Sequence, residues 1–186
     1  LVLRAALSLA DSAGIEPRAA IRLTKNLPVA SGIGGGSADC AAALRALVQH
    51  WHLTPAQDDL FRLGRSLGAD VPACLASRPC YLGGIGEILV PAPELPQICL
   101  VLVNPAVAVS TPDVFRARSG PFSRSAQLET SSKSVLETPG GLAQALSLLR
   151  NDLTDAAVAL APEVENVLGA LTISDGVLLA RMSGSG

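Results

Sequence analysis

Four glycines within five positions, Gly32, Gly34, Gly35 and Gly36, followed at once by Ser37, are the residues whose spacing most directly suggests chemistry. They sit in the stretch Asn26–Cys40, NLPVASGIGGGSADC. Glycine lets a backbone enter the left-handed region and bring its N–H groups close to a ligand with no Cβ in the way. A helix starting just after such a loop adds unpaired N–H groups and a partial positive charge, so the natural guest is an anion, most often phosphate. A flexible linker is the plainer alternative, but linkers are polar on both flanks. Here the loop lies between a β-like segment and a strongly periodic helical one.

Two common phosphate loops fail on their own residues. A Walker A loop needs Lys-Ser or Lys-Thr after its last glycine, whereas Gly36 is followed by Ser37-Ala38. The Rossmann fingerprint counted from Gly32 ends on Ser37 instead of glycine, and the following acid, Asp58, falls inside a helical pattern. A carboxylate is the second chemical candidate. Asp70 stands in LGADVP among small and apolar residues. It is either a turn residue before Val-Pro, where Asp is common, or a group with a task, since a desolvated carboxylate needs a partner. Four cysteines show no CxxC pair, and His50 and His52 are two apart, off a shared helix face, so neither set reads as a metal site.

Composition narrows the classes of partner. With 49% hydrophobic and 16% charged residues the chain is neither disordered nor a solvated tail, and 186 residues can bury a real core. Aromatics at 3% exclude a base-stacking platform, and a net charge of −2 without a basic block argues against nucleic acid. The longest apolar run, Ile98 to Val103, is far short of the ~20 residues that span a bilayer. The reading is a soluble cytoplasmic protein with no membrane partner. The first residue is Leu and the chain stops at Ser-Gly-Ser-Gly, so both ends read as cut from a longer protein.

The elements that must position these groups follow from periodicity. Leu1–Ala13 reads as a helix stopping at Gly14, and Ala20–Lys25 as a half-exposed strand. From Ser37, a plausible N-cap with Asp39 in the first turn, Leu44, Leu47, Val48 and Trp51 line one helix face. Thr54-Pro55-Ala56-Gln57 reads as a capping box opening a helix with Leu60, Leu63 and Leu67 inward, ending at Gly68. Tyr81–Val90 reads as a strand pair broken at Gly83, Gly84 and Gly86, and Pro91, Pro93 and Pro96 mark a domain boundary. Beyond it come a buried strand at Ile98–Val103, a short helix opened by Ser110-Thr111-Pro112-Asp113, and a Ser/Thr/Pro-rich excursion from Gly120 to Gly140. Helices at Leu142–Leu149 and around Val164, Val167, Leu168 and Leu171, then a strand at Gly176–Met182, lead into the second glycine-serine turn, Ser183–Gly186.

Five segments, in this order, resemble the GHMP kinases: LPVASGIGGGSAD (27–39), LGADVP (67–72), GIGEIL (84–89), STPDVF (110–115) and ARMSGSG (180–186). Within that superfamily they are most similar to the branch that phosphorylates a cytidine-diphosphate methylerythritol. The resemblance implies an α+β, two-domain GHMP kinase fold. Residues 1–92 would be an ATP-binding domain like domain 2 of ribosomal protein S5, and residues 93–186 a ferredoxin-like domain, both truncated. It implies ATP and Mg2+ as cofactors, with Pro28, Ala30, Gly32, Gly34, Gly35, Gly36, Ser37 and Ala38 around the nucleotide and Ser37 near the magnesium-bound oxygens. Asp70 matches the catalytic aspartate that orients or accepts the proton of the attacking hydroxyl. Thr111 and Phe115 match cytidine-pocket positions, Ile85 a main-chain contact there, and Gly184 and Gly186 a third glycine motif around substrate phosphates.

The implied activity is ATP-dependent phosphorylation of the 2-hydroxyl of the cytidine substrate, in isoprenoid precursor synthesis by the non-mevalonate route, by a monomer or homodimer. Two departures stand out. The first motif, with its lysine and a downstream histidine, would lie before Leu1, and Ala38 replaces the usual second serine, so activity belongs to the parent protein. Another GHMP kinase, acting on homoserine, mevalonate or a sugar, and a non-catalytic nucleotide sensor of the same fold are the alternatives. Several residues also carry ordinary readings: Ser37 and Thr111 as helix caps, Phe115 as core, and Asp152 in Asn151-Asp152-Leu153 as a helix-ending turn.

Overall fold

The computed structural model describes residues 1–26, 32–86, 88–123 and 136–186. Contacts divide it into two compact units, one drawn from Leu1–Ala30 and Gly34–Ala92, the other from Pro93–Gly186 together with Gly32 and Ile33. The chain therefore changes units inside its glycine loop. The content is α+β, and the described sheet is a single antiparallel pair.

In the first unit, helix α1 (Val2–Ala13) ends at Gly14, whose φ of 64° lets its N–H turn back to the last carbonyls, as the sequence indicates. Helix α2 (Gly35–His50) lays Cys40, Ala41, Leu44 and Leu47 against Ala5, Ala6 and Leu9 of α1. Leu44 is completely buried, and burial of that side chain stabilises the unit by about 1.5–3 kcal/mol. Helix α3 (Gln57–Leu67) and the short α4 (Val71–Ala76) close the core through Leu67 and Val71, with Leu60 and Leu63 packed against it. Strands β1 (Cys80–Gly83) and β2 (Ile88–Pro91) form the hairpin expected from Tyr81–Val90, registered Cys80 to Pro91 and Gly83 to Ile88.

The second unit has a separate core. Val114 of α5 (Thr111–Ala117) meets Ala156 and Ala157 of α7 (Thr154–Leu160), Val164 of α8 (Glu163–Thr172) and Met182. Helix α6 (Pro139–Ser147) is opened by Thr138, whose hydroxyl oxygen accepts from Gly141 N–H at 3.1 Å. The expected helix at Leu142–Leu149 thus starts three residues earlier and ends sooner, while α4 and α7 are helices that periodicity did not reveal.

Three expected strands do not form a ladder among the described residues: Ala20–Lys25, Ile98–Val103 and Gly176–Met182. A buried strand needs hydrogen-bonded neighbours and covered faces, and the described residues supply neither to the second of these. Leu100, Val101 and Leu102 are 76%, 73% and 61% exposed. Helix starts also differ. Gly34, at φ 69°, is the N-cap of α2, so Ser37 lies inside the first turn and does not cap. Asp39 is past that turn and pairs with Lys25 at 2.5 Å. The Thr54 capping box is not made: the chain stays extended through Ala56, and α3 opens at Gln57 with Asp58 and Asp59 in its first turn. Most of the Gly120–Gly140 excursion falls outside the described residues.

Candidate functional site

The first unit brings the segment before α4 to the start of α2. Ala38 N–H makes the first intrahelical bond, to Gly34 O at 2.9 Å, which leaves the N–H groups of Gly35, Gly36 and Ser37 without an intrahelical acceptor. Among the described residues, a β-carbon built on Gly35 or Gly36 would meet nothing within 4 Å. One built on Gly34 would stand 3.9 Å from Asp70 Oδ2, and one on Gly68 would stand 3.9 Å from Ser37 Oγ. The segment before α4 thus brings the Asp70 carboxylate to the loop and Ser37 close to Gly68.

The placement of Asp70 has its own scaffold. Asp70 is the N-cap residue of α4, and its carbonyl accepts from Cys74 N–H at 3.1 Å. Behind it, Gly86 of the hairpin turn presses on the backbone: a β-carbon there would stand 2.6 Å from Ala69 O, and its φ of 103° suits only glycine. Asp70 is exposed, so the desolvation expected from its apolar sequence neighbours is not what its surroundings provide. Burial foremost, then the Asp70 carboxylate, pushes the Cys74 thiol above its ordinary range, while burial does the same for Cys40. Ala38 is exposed on α2, Ile85 is 85% exposed in the hairpin turn, and Pro28 and Ala30 lie outside the described residues.

The second unit brings Gly32 and Thr111 to Met182–Gly186. Ser183 Oγ donates to Gly32 O at 2.9 Å. A β-carbon on Gly32 would stand 2.9 Å from Ser183 O, and one on Gly184 would stand 3.2 Å from Gly32 O, so two glycines allow backbone to lie on backbone. Thr111 Oγ1 and the buried Ser185 Oγ share a hydrogen bond of 2.8 Å, which makes Thr111 a partner of this loop instead of a helix cap. Gly186, at φ 100°, lies near Met182 and Ala157. Phe115 is 52% exposed on α5 and is not part of the core.

Asn151, Ser185 and Gly86 were not singled out from the sequence as site-forming residues. Asn151 Nδ2 donates to Met182 O at 3.1 Å and Gly184 O at 2.8 Å, and its Oδ1 accepts from Leu153 N–H at 3.0 Å. The asparagine beside the singled-out Asp152 was the available signal. Asp152 itself is more than a turn residue: it accepts from Ser123 N–H and Ser123 Oγ, both at 2.6 Å, and from Arg150 Nε at 2.7 Å. The Ser123 hydrogen bonds, then Arg150, hold its carboxyl down at about 2. Among the described residues no group of three or more His, Cys, Asp and Glu is placed to hold a metal, and no helix is long and apolar enough to cross a membrane.

Residues 1–78 match the family model described as the GHMP kinases N terminal domain. Over its full length the chain is 52% identical to a 4-diphosphocytidyl-2-C-methyl-D-erythritol kinase of Paramagnetospirillum magneticum and 49% identical to one of Rhodospirillum rubrum. It spans 64% and 60% of the length of those two proteins. A crystal structure of 4-(cytidine 5'-diphospho)-2C-methyl-D-erythritol kinase matches all of this chain with a TM-score of 0.69 at 32% identity, covering 65% of that structure's chain.

Proposed function

We propose that the protein to which this chain belongs phosphorylates the 2-hydroxyl of 4-(cytidine 5'-diphospho)-2-C-methyl-D-erythritol with ATP, in cytoplasmic isoprenoid precursor synthesis. The fold is then the two-domain GHMP architecture, S5-like over residues 1–92 and ferredoxin-like over 93–186. One observation carries the reading: the Asp70 carboxylate stands at the glycine-capped start of α2, where the N–H groups of Gly35, Gly36 and Ser37 have no intrahelical acceptor. Those N–H groups and the Ser37 hydroxyl fit nucleotide phosphates, and Ser37 is the residue that would lie nearest a phosphate-bound Mg2+. The metal ion neutralises phosphate charge when bound. Asp70 orients the substrate hydroxyl and takes its proton, because phosphoryl transfer asks the protein chiefly for positioning and charge stabilisation. In the second unit, Thr111, Phe115, Gly184 and Gly186 would receive the cytidine diphosphate.

The test is ADP release by the full-length protein, coupled to a reporter reaction, with the cytidine substrate, homoserine, mevalonate and galactose compared at equal concentration. Turnover is expected with the cytidine substrate alone. A higher specificity constant for any of the other three would assign a different GHMP reaction. Binding of ATP without turnover of any of them would assign a nucleotide sensor.

A further inference from the structure

We propose that Asn151 is a positioning residue that sets the shape of the Met182–Gly186 loop for substrate binding; the inference rests on the kinase reading above. A glycine-serine loop has little shape of its own, because Gly184 and Gly186 both adopt φ values open to few other residues, 62° and 100°. Something outside the loop must select one conformation. Asn151 is the one side chain among the described residues that donates to two carbonyls of this loop, Met182 O and Gly184 O. Its own orientation is fixed by the third bond, from Leu153 N–H just before α7, so the amide cannot turn away without losing all three. Met182 is buried in the second core, which anchors one end of the loop, and Thr111 holds Ser185 three residues later. Asn151 thus fixes the stretch between those two anchors, including Gly184.

Asparagine is the residue this task requires, since it must donate twice through Nδ2 and accept once through Oδ1. Asn151→Asp keeps the size and the acceptor but turns a lone pair toward two carbonyl oxygens. A protonated carboxyl restores one donor, which gives the variant a pH signature that a merely space-filling residue lacks.

The experiment uses full-length protein, wild type and Asn151→Asp, with KM for the cytidine substrate and for ATP measured from about pH 5 to 8. At neutral pH the variant is expected to raise KM for the cytidine substrate about tenfold or more, with KM for ATP changed less than about twofold. The variant-to-wild-type ratio of kcat/KM should recover as pH falls. An active wild type with a variant that equals it across the range overturns the role of Asn151, as does an equal loss for both substrates with no pH dependence. An inactive wild type overturns the kinase reading instead. If Asn151→Asp does not fold, Asn151→Ser, with one donor and no charge, is expected to give the same split between the two KM values. Unchanged KM values in it, or failure of both variants to fold, make Asn151 a purely structural residue and overturn the proposal.

Discussion

The two units hold their glycine loops by different means. In the first, the Gly34–Ser37 turn is the opening of a 16-residue helix, and its shape follows from backbone hydrogen bonds and the packing of Leu44 and Leu47. In the second, the Met182–Gly186 turn is held by the side chains of Asn151, Thr111 and Ser183. A loop built by a helix leaves its side chains and N–H groups uncommitted. A loop built by side chains commits them to shape. Substitution of a side chain facing the first loop, such as Asp70, should therefore separate chemistry from folding, and substitution at the close contacts of the second loop should affect both together.

The largest expected effect tests the first half of that contrast. Asp70→Asn in the full-length protein should lower kcat for the proposed reaction by about 10²–10⁴. The melting temperature should stay within a degree or so, because Asp70 is exposed and its backbone, not its carboxylate, makes the bond to Cys74. Turnover near the wild-type value would remove Asp70 from the chemistry and with it the division of labour between the units.

Gly86→Ala should come next, because it moves the aspartate without altering it. A β-carbon 2.6 Å from Ala69 O, at a φ of 103°, forces the segment before α4 to shift, at a cost of about 1–3 kcal/mol. Displacement of a catalytic group by an ångström can reduce the rate by about 10², so kcat should fall more than KM for ATP rises. An unchanged kcat with lowered stability would show that the hairpin supports the fold but not the position of Asp70.

These contrasts also show what the sequence made legible. Helices α1, α2 and α8 were evident because each carries its own apolar period and buries it locally, as Leu44 and Leu47 do. The glycine loop is legible as a candidate anion site from its own residues, whereas Asp70 reads as either a turn residue or a group with a task until the resemblance is weighed. The strands were not, except for the hairpin whose turn glycines are in sequence: a ladder is a property of two segments, and Ile98–Val103 carries the apolar signal of a strand without a ladder among the described residues. Side-chain clamps were equally hidden. Nothing in Asn151 or Ser185 alone says that each bonds a residue some 30 to 75 positions away, as the separations of 31, 33 and 74 show. Ser37 was misread as a cap because the left-handed freedom of Gly34 allows the helix to begin earlier.

Gly32→Ala probes the second unit in the way Gly86→Ala probes the first. Its β-carbon would stand 2.9 Å from Ser183 O, a backbone atom that cannot simply rotate away, and the φ of 69° adds about 1–2 kcal/mol of strain. Stability and KM for the cytidine substrate should worsen together, whereas Asp70→Asn moves kcat alone. A Gly32→Ala protein with normal stability and normal KM would mean that the two glycine turns do not depend on close approach.

The smallest effect is electrostatic and separates the clamp from its neighbour. Asp152 has its carboxyl held at about 2 by Ser123 and Arg150. A carboxyl lowered in the folded state contributes stability that is present above its unfolded value near 4 and is lost as pH falls through the folded value. The wild-type melting temperature should therefore decline between about pH 4 and pH 2 more steeply than that of Asp152→Asn, with the curves running parallel above about pH 5. Because the Arg150 side chain is largely exposed, added salt should weaken part of the difference, while the two Ser123 hydrogen bonds leave a remainder that salt does not remove. KM for the cytidine substrate should be unchanged in Asp152→Asn, since it is Asn151, one residue before, that holds the loop. Parallel acid curves would remove the Ser123–Asp152 link, and a raised KM would extend the clamp to Asp152.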